Sequence, residues 1–208
     1  MTAKARLPIG KTALKQHPDF QEHARWKFPE YALQYYITAR FAHAAAFTPV
    51  AGNLYHHAVE LMLKHRLLKK YSLADLASAK KGFGHDLPRL WESFKAEVAD
   101  QSLSRFDDLI TELQCFEDIR YPDELALTGG HLFLLIKRQH KSGPTKLPKG
   151  NVPHFNLALE DMDDLMIVLF EKCSVNLLAF EQFFRQHHSG KHLLRHNREF
   201  RAIWKNGR

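Results

Sequence analysis

The sequence has few of the features that mark secreted, membrane-spanning or disulfide-rich proteins. It contains two cysteines among 208 residues, Cys115 and Cys173, and both lie within helical patterns, which favours packing over a disulfide or a metal site. No apolar run approaches the roughly 20 residues needed to span a bilayer. The N-terminal segment has no apolar stretch of signal-peptide length. We therefore expect a cytoplasmic protein that does not associate with a membrane.

Glycine is also scarce, with 10 residues, and the phosphate-binding motifs that depend on it are missing. The segment KKGFGHD has neither the length nor the Lys-Ser/Thr end of a phosphate-binding loop. The chain has no nucleophile elbow for a Ser-His-Asp site. His56, His57 and Glu60 could begin a metal site, but no second group with ligand spacing follows them. We therefore expect neither a metal nor a cofactor.

The net charge of +7 is concentrated at the ends of the chain. Residues 1–27 carry six basic and two acidic side chains, and residues 185–208 carry seven basic and one acidic side chain. The body between them has an acidic excess, so it is not a general polyanion-binding surface. A basic loop at residues 137–150 could contact phosphates together with the tail, although such charge blocks are more often solvated.

Helical periodicity predicts an all-α fold, an antiparallel helical bundle of four to five main helices. Apolar residues recur at helical spacing in five segments. The first three are EYALQYYITARFAHAAAF, the range from Pro49 to Tyr71, and LPRLWESFKAEV, which follows an N-cap at Asp86. The last two are the range from Leu103 to Tyr121 and HFNLALEDMDDLMIVLFEKCSVNLLAFEQFF, where Glu160 or Asp161 lies near the helix start.

The chain divides into three parts. Residues 1–28 are a basic N-terminal extension, residues 29–188 are the helical bundle, and residues 189–208 are a basic C-terminal tail. Within the bundle we expect a short irregular or hairpin insertion at about residues 125–156, because Gly129–Gly130 separates two short apolar runs.

One predicted helix carries a polar stripe between two apolar flanks. In AGNLYHHAVELMLKHRLLKK, the residues Asn53, His56, His57, Glu60 and Lys64 fall within an arc of roughly 100° at the helical period. Glu60 and Lys64 form an i,i+4 ion pair in the favourable order. Such a stripe is either a paired network inside the fold or the wall of a site.

A second polar pair, Glu117 and Arg120, occurs in LQCFEDIRYPDE. It lies on the side of its helix that should face the core, where an arginine needs a partner because an unpaired buried charge is very costly. If the two helices pack side by side, Lys64 and Arg120 would offer cations to one cleft. Glu60, Glu117 and His57 would add acid–base capacity there. Such a cleft could hold a phosphate or a nucleotide.

Three blocks in this order, NLYHHAVELMLKHRLL, GHDLPRLW and FEDIRYPDE, resemble the HEPN (higher eukaryotes and prokaryotes nucleotide-binding) domain family over about residues 30–186. The resemblance implies a helical bundle that is often a homodimer and has a nucleotide- or RNA-associated role. Members of the family occur in toxin–antitoxin or defence systems, in some cases beside a nucleotidyltransferase partner. By position, Glu60 and Lys64 match the polar pair of the family's second helix, His85 the histidine before the next helix, and Arg120 the arginine near the end of the following one.

The chain departs from the family at the motif of its ribonucleases, an Arg followed after four to six residues by His. Arg120 is followed at these offsets by Leu125, Ala126 and Leu127. The leading hypothesis is therefore a HEPN-like module that binds a nucleotide or another anionic ligand. Two alternatives stay open: a metal-independent endoribonuclease toxin with a non-standard active site, and a purely structural interaction protein whose polar stripe fixes the helix register.

Overall fold

The computed structural model of the protein describes residues 18–78, 82–118, 131–135 and 154–176. These segments confirm the predicted all-α helical bundle, with one pair of short strands in addition. In chain order the elements are α1 (Pro18–Ala44), α2 (Thr48–Leu67), α3 (Leu73–Ala77), α4 (Leu87–Val98), a 3₁₀ turn (Gln101–Phe106), α5 (Asp107–Asp118), β1 (His131–Leu135), β2 (His154–Ala158) and α6 (Leu159–Lys172).

Side-chain caps and prolines explain several helix boundaries. Asp86 is the N-cap of α4, as predicted, and its carboxylate accepts a hydrogen bond from the Arg89 backbone N–H at 3.0 Å. Ser72 and Asp75 form a capping box at α3. α1 begins at Pro18, upstream of the start predicted at Pro29, so the helix continues through that proline although Pro29 has no N–H to donate.

The region predicted as an insertion contains a parallel strand pair. His131 of β1 lies opposite His154 of β2, and Leu135 lies opposite Ala158. These two strands therefore do not form a hairpin, since a parallel pair needs a crossover connection. The last helix, α6, begins at Leu159, as predicted from Glu160 or Asp161 near its start, and residues 154–158 before it form β2.

Other predicted features fall outside the described residues. They are the turn at Gly129–Gly130, the basic loop 137–150, the C-terminal tail 189–208 and most of the N-terminal extension. None of the helices in the described segments has the length and apolar character that a membrane span requires.

Helix α2 is the central element of the core. It packs against α1, α4, α5 and α6, and its side chains Tyr55, Met62, Leu63 and Leu67 are fully buried. Gly52 lets α5 approach closely, because a Cβ at this position would lie 1.9 Å from Cδ1 of Phe116. The polar residues of α2 are consequently held at a tightly packed junction of helices.

A buried ionic group connects α1 with α6. The Arg40 guanidinium and the Tyr36 hydroxyl both donate to the Asp163 carboxylate, and all three residues are buried. Burial is the main cause that raises the pKa of Tyr36, and the negative charge of Asp163 adds to it. Tyr36 therefore stays a neutral hydrogen-bond donor in the core.

Candidate functional site

The centre of the predicted polar stripe is a buried ion pair on α2. Only 4% of Glu60 and 7% of Lys64 is exposed. The Lys64 ammonium donates to Oε1 of Glu60 and, at 2.6 Å, to the backbone carbonyl of Gly84. This second bond ties α2 to the loop that precedes α4. Lys64 thus directs its charge to acceptors inside the protein.

Three imidazoles surround the other carboxylate oxygen of Glu60. Oε2 lies 3.1 Å from Nδ1 of His85, 3.5 Å from Nδ1 of His57 and 3.7 Å from Nε2 of His56. His56 is fully buried, and its Nδ1 lies 3.4 Å from the backbone carbonyl of Leu113 on α5. The Glu60 carboxylate therefore joins side chains of α2 to the α3–α4 loop, and His56 extends the group to α5.

These contacts keep the Glu60 carboxylate ionised. Burial by itself would raise the pKa of Glu60, but the hydrogen bond from His57, the charge and hydrogen bond of Lys64 and the hydrogen bond from His85 together lower it to about 2. Because an ionised carboxylate only accepts hydrogen bonds, the Nδ1 atom of His85 must be its donor. In the neutral ring, Nε2 of His85 is then an acceptor, and in the cationic ring it is a second donor.

Two of the imidazoles reach the protein surface. The side chain of His57 is 33% exposed and that of His85 is 62% exposed, and their ring centroids lie 6.4 Å apart. Tyr35 of α1 lies beside them, with its ring centroid 5.4 Å from that of His57. We name His57 and His85, with Glu60 and Lys64 beneath them, the histidine face.

The structure brings together four of the seven residues predicted for the site, His57, Glu60, Lys64 and His85. Asn53 lies earlier on α2, and its Oδ1 is buried without a hydrogen-bond partner among the described residues. Glu117 lies in the last turn of α5, and its side chain is outside the description. Arg120 lies outside the described residues, so its place in a cleft with Lys64 stays a prediction.

Sequence reasoning missed Tyr35 and the Arg40–Asp163 group. Tyr35 and Tyr36 are adjacent on α1, and one ring faces the surface beside His57 while the other is buried. The helical period indicates that the two tyrosines point in different directions, but it does not indicate which helix lies opposite either ring. Arg40 and Asp163 are far apart in the chain, and no motif connects them.

In the segments that the structure covers, no group of three or more histidine, cysteine, aspartate or glutamate side chains is arranged to hold a metal ion. At the histidine face, both Glu60 oxygens already face nitrogen donors. The site therefore presents two imidazoles at the surface, the partly exposed His57 and the largely exposed His85, and the buried Glu60 carboxylate holds both.

Comparison of the chain with protein-family models, curated proteins and solved structures found no match. The resemblance to the HEPN family therefore stays a prediction that is based on the three sequence blocks.

Proposed function

We propose that the protein is a HEPN-like binding module for a nucleotide or a related phosphorylated ligand, and that the phosphate docks on the exposed imidazoles of the histidine face. The observation that carries this proposal is the pair His57 and His85 on one buried, ionised carboxylate. Glu60 fixes the orientation of the rings, and Lys64 balances its charge.

His85 can hold Glu60 and a ligand at the same time. Its Nδ1 donates to Glu60, and Nε2 lies on the opposite side of the ring in a largely exposed side chain. In the cationic ring both nitrogens are donors, so Nε2 would donate to a phosphate oxygen while Nδ1 keeps its bond to Glu60.

Thermal unfolding with and without inorganic phosphate, AMP and a short RNA tests this proposal. A ligand at about 100 times its dissociation constant adds roughly 2.7 kcal/mol to the free energy of unfolding, which raises the Tm. We expect such a rise with at least one probe at pH 6, and its loss in His85→Gln. His23→Gln is the matched control, because His23 is an exposed histidine of α1 that lies about three helical turns before Tyr35. An absence of any rise in the wild-type protein, or an equal rise in His85→Gln, would contradict the proposal.

A metal-independent endoribonuclease is the second candidate. Two imidazoles whose centroids lie 6.4 Å apart are suitably placed to act as a general acid and a general base on one phosphodiester. The same RNA samples provide the readout if the RNA is examined on a gel afterwards, with EDTA present. Cleavage that is lost in His57→Ala would favour the endoribonuclease, whereas intact RNA with the wild-type protein would contradict it.

The partner predictions belong to the same proposal. The resemblance implies a homodimer, a place in a toxin–antitoxin or defence system, and an antitoxin or a nucleotidyltransferase-type protein as a possible partner. Large apolar side chains such as Trp26, Phe41 and Phe47 are exposed on α1 and in the turn before α2.

A further inference from the structure

A groove of about 430 Å³ lies along α1 next to the histidine face. It is lined by Tyr31, Gln34, Tyr35 and Thr38 of α1 and by Leu54 of α2. We name it the tyrosine groove. Its volume lies in the range of small-molecule sites.

The groove combines exposed aromatic rings with polar atoms. Tyr31 and Tyr35 are one helical turn apart on α1, and both are exposed. The Thr38 hydroxyl donates to the Gln34 backbone carbonyl at 2.8 Å, so the lone pairs of its oxygen remain as acceptors. Among the described residues, the Gln34 amide makes a long contact of 3.5 Å with Glu30. The lining therefore offers flat apolar surfaces with hydrogen-bonding groups between them.

The tyrosine groove adjoins the histidine face at Tyr35. The Tyr35 ring both lines the groove and lies 5.4 Å, between centroids, from the His57 ring at an angle of 44°. Leu54 is one helical turn before His57 on α2. If the phosphate of a ligand contacts His57, the larger group attached to that phosphate can therefore reach the groove.

We propose that the tyrosine groove binds the planar base of a nucleotide, with Tyr35 as the residue that stacks on it. This inference rests on the proposed function, because the histidine face holds the phosphate. Stacking suits the groove since every base has an aromatic face, and Gln34 and Thr38 can contact a base edge. Tyr35 is then the residue that distinguishes a nucleotide from a sugar phosphate.

A second groove of the same volume in the described part of the chain is unsuited to this ligand. Arg105 is among the residues that line it, but so are four carboxylates, those of Asp108, Glu112, Asp161 and Asp164. Like charges repel a phosphate at such a surface. Electrostatics therefore favours the tyrosine groove as the place for a nucleotide.

Calorimetric titration with AMP and with ribose 5-phosphate at pH 6 tests the inference, because the two ligands differ only in the base. We expect the wild-type protein to bind AMP about tenfold more tightly or better. Tyr35→Leu should bind AMP only as tightly as ribose 5-phosphate, with its affinity for ribose 5-phosphate unchanged. Tyr35→Phe should keep the preference. Trp26→Leu is the matched control, since Trp26 is an exposed aromatic residue of α1 outside the groove.

The outcomes separate this inference from the proposed function. Equal affinity of the wild-type protein for both ligands would overturn the inference and leave the phosphate site standing. Binding of neither ligand would overturn both. A full preference for AMP in Tyr35→Leu would show that Tyr35 does not stack on the base and would overturn the inference.

Discussion

Glu60 shows how one buried carboxylate can organise a surface site. Its Oε1 accepts from Lys64, and its Oε2 lies next to the Nδ1 atoms of His57 and His85. A carboxylate so deeply buried is stable only with such partners. Its partners lie one turn away on the same helix or in the loop before α4, so the carboxylate is satisfied in the middle of a helix.

The first prediction concerns the Glu60–Lys64 pair. Glu60→Gln keeps the shape of the side chain but leaves the buried Lys64 ammonium without an anion, so we expect it to lower the free energy of unfolding by about 3–5 kcal/mol. Glu60→Gln/Lys64→Met removes both charges and should recover part of this loss. Urea unfolding at pH 7 measures these differences.

Glu92→Gln is the control for this prediction. Glu92 also pairs with a lysine, Lys95, but the Glu92 side chain is 71% exposed and Lys95 has Asp107 as a second partner, so this pair should contribute between 0 and about 1 kcal/mol. If Glu60→Gln cost no more than Glu92→Gln, the Glu60 group would not support the fold as its burial indicates.

At the scale of elements, the Arg40–Asp163 pair connects α1 with α6. Both side chains are buried, and Tyr36 donates to the same carboxylate. Asp163→Asn would leave the Arg40 guanidinium buried without its anion. We expect a loss of about 3–5 kcal/mol in the free energy of unfolding, measured by urea unfolding at pH 7.

The neighbouring residue of α6 provides the matched control. Asp164 pairs with Arg105 at 3.0 Å, but both side chains are about half exposed. Asp164→Asn should therefore change stability by less than about 1 kcal/mol. Equal losses in Asp163→Asn and Asp164→Asn would show that the contact between α1 and α6 does not depend on the buried pair.

Elements were easier to predict than the contacts between them. Local signals such as Asp86 before α4 and the apolar period of α2 indicated helices correctly. Pro29 gave the wrong start for α1, because packing of the helix outweighs the missing N–H of one proline. The start of α6 near Glu160 was also predicted correctly, whereas β2 was not predicted, because five residues are too few to carry a period that separates a strand from a helix.

The candidate site could be predicted only in part for the same reason. His57, Glu60 and Lys64 lie on one helix, so their grouping follows from the helical period. His85 came from the order of sequence blocks, since no spacing relates it to Glu60. The position of Tyr35 beside His57 could not be predicted, because it depends on how α1 packs against α2, and the sequence does not indicate that packing.

At the scale of the whole molecule, the buried charges lie on two sides of the central helix. The Glu60 group joins α2 to the start of α4 and to α5, while the Arg40 group joins α1 to α6. Tyr55 of α2 lies beside the second group, with its ring centroid 6.2 Å from that of Tyr36. Loss of either group should therefore affect the stability of the entire bundle.

Acid should destabilise the whole molecule through Glu60. The pKa of this carboxyl is about 2 in the folded protein against 4.5 as its ordinary value, so the unfolded chain takes up the proton first. The stabilisation is fully present above about pH 4.5 and is lost as the pH falls towards 2. Its size is on the order of 3 kcal/mol. Glu112 acts in the opposite direction, since burial raises its pKa.

Urea unfolding between pH 6 and pH 2.5 measures this loss. We expect the free energy of unfolding of the wild-type protein to fall steeply below pH 4.5, and that of Glu60→Gln, which has no carboxyl to protonate here, to fall less. Glu92→Gln should follow the wild-type curve. Asp100, whose pKa is lowered to about 2 mainly by its hydrogen bond with Lys172, adds acid sensitivity that all three proteins share. Parallel curves for the wild-type protein and Glu60→Gln would mean that the pKa of Glu60 is not lowered in the folded protein.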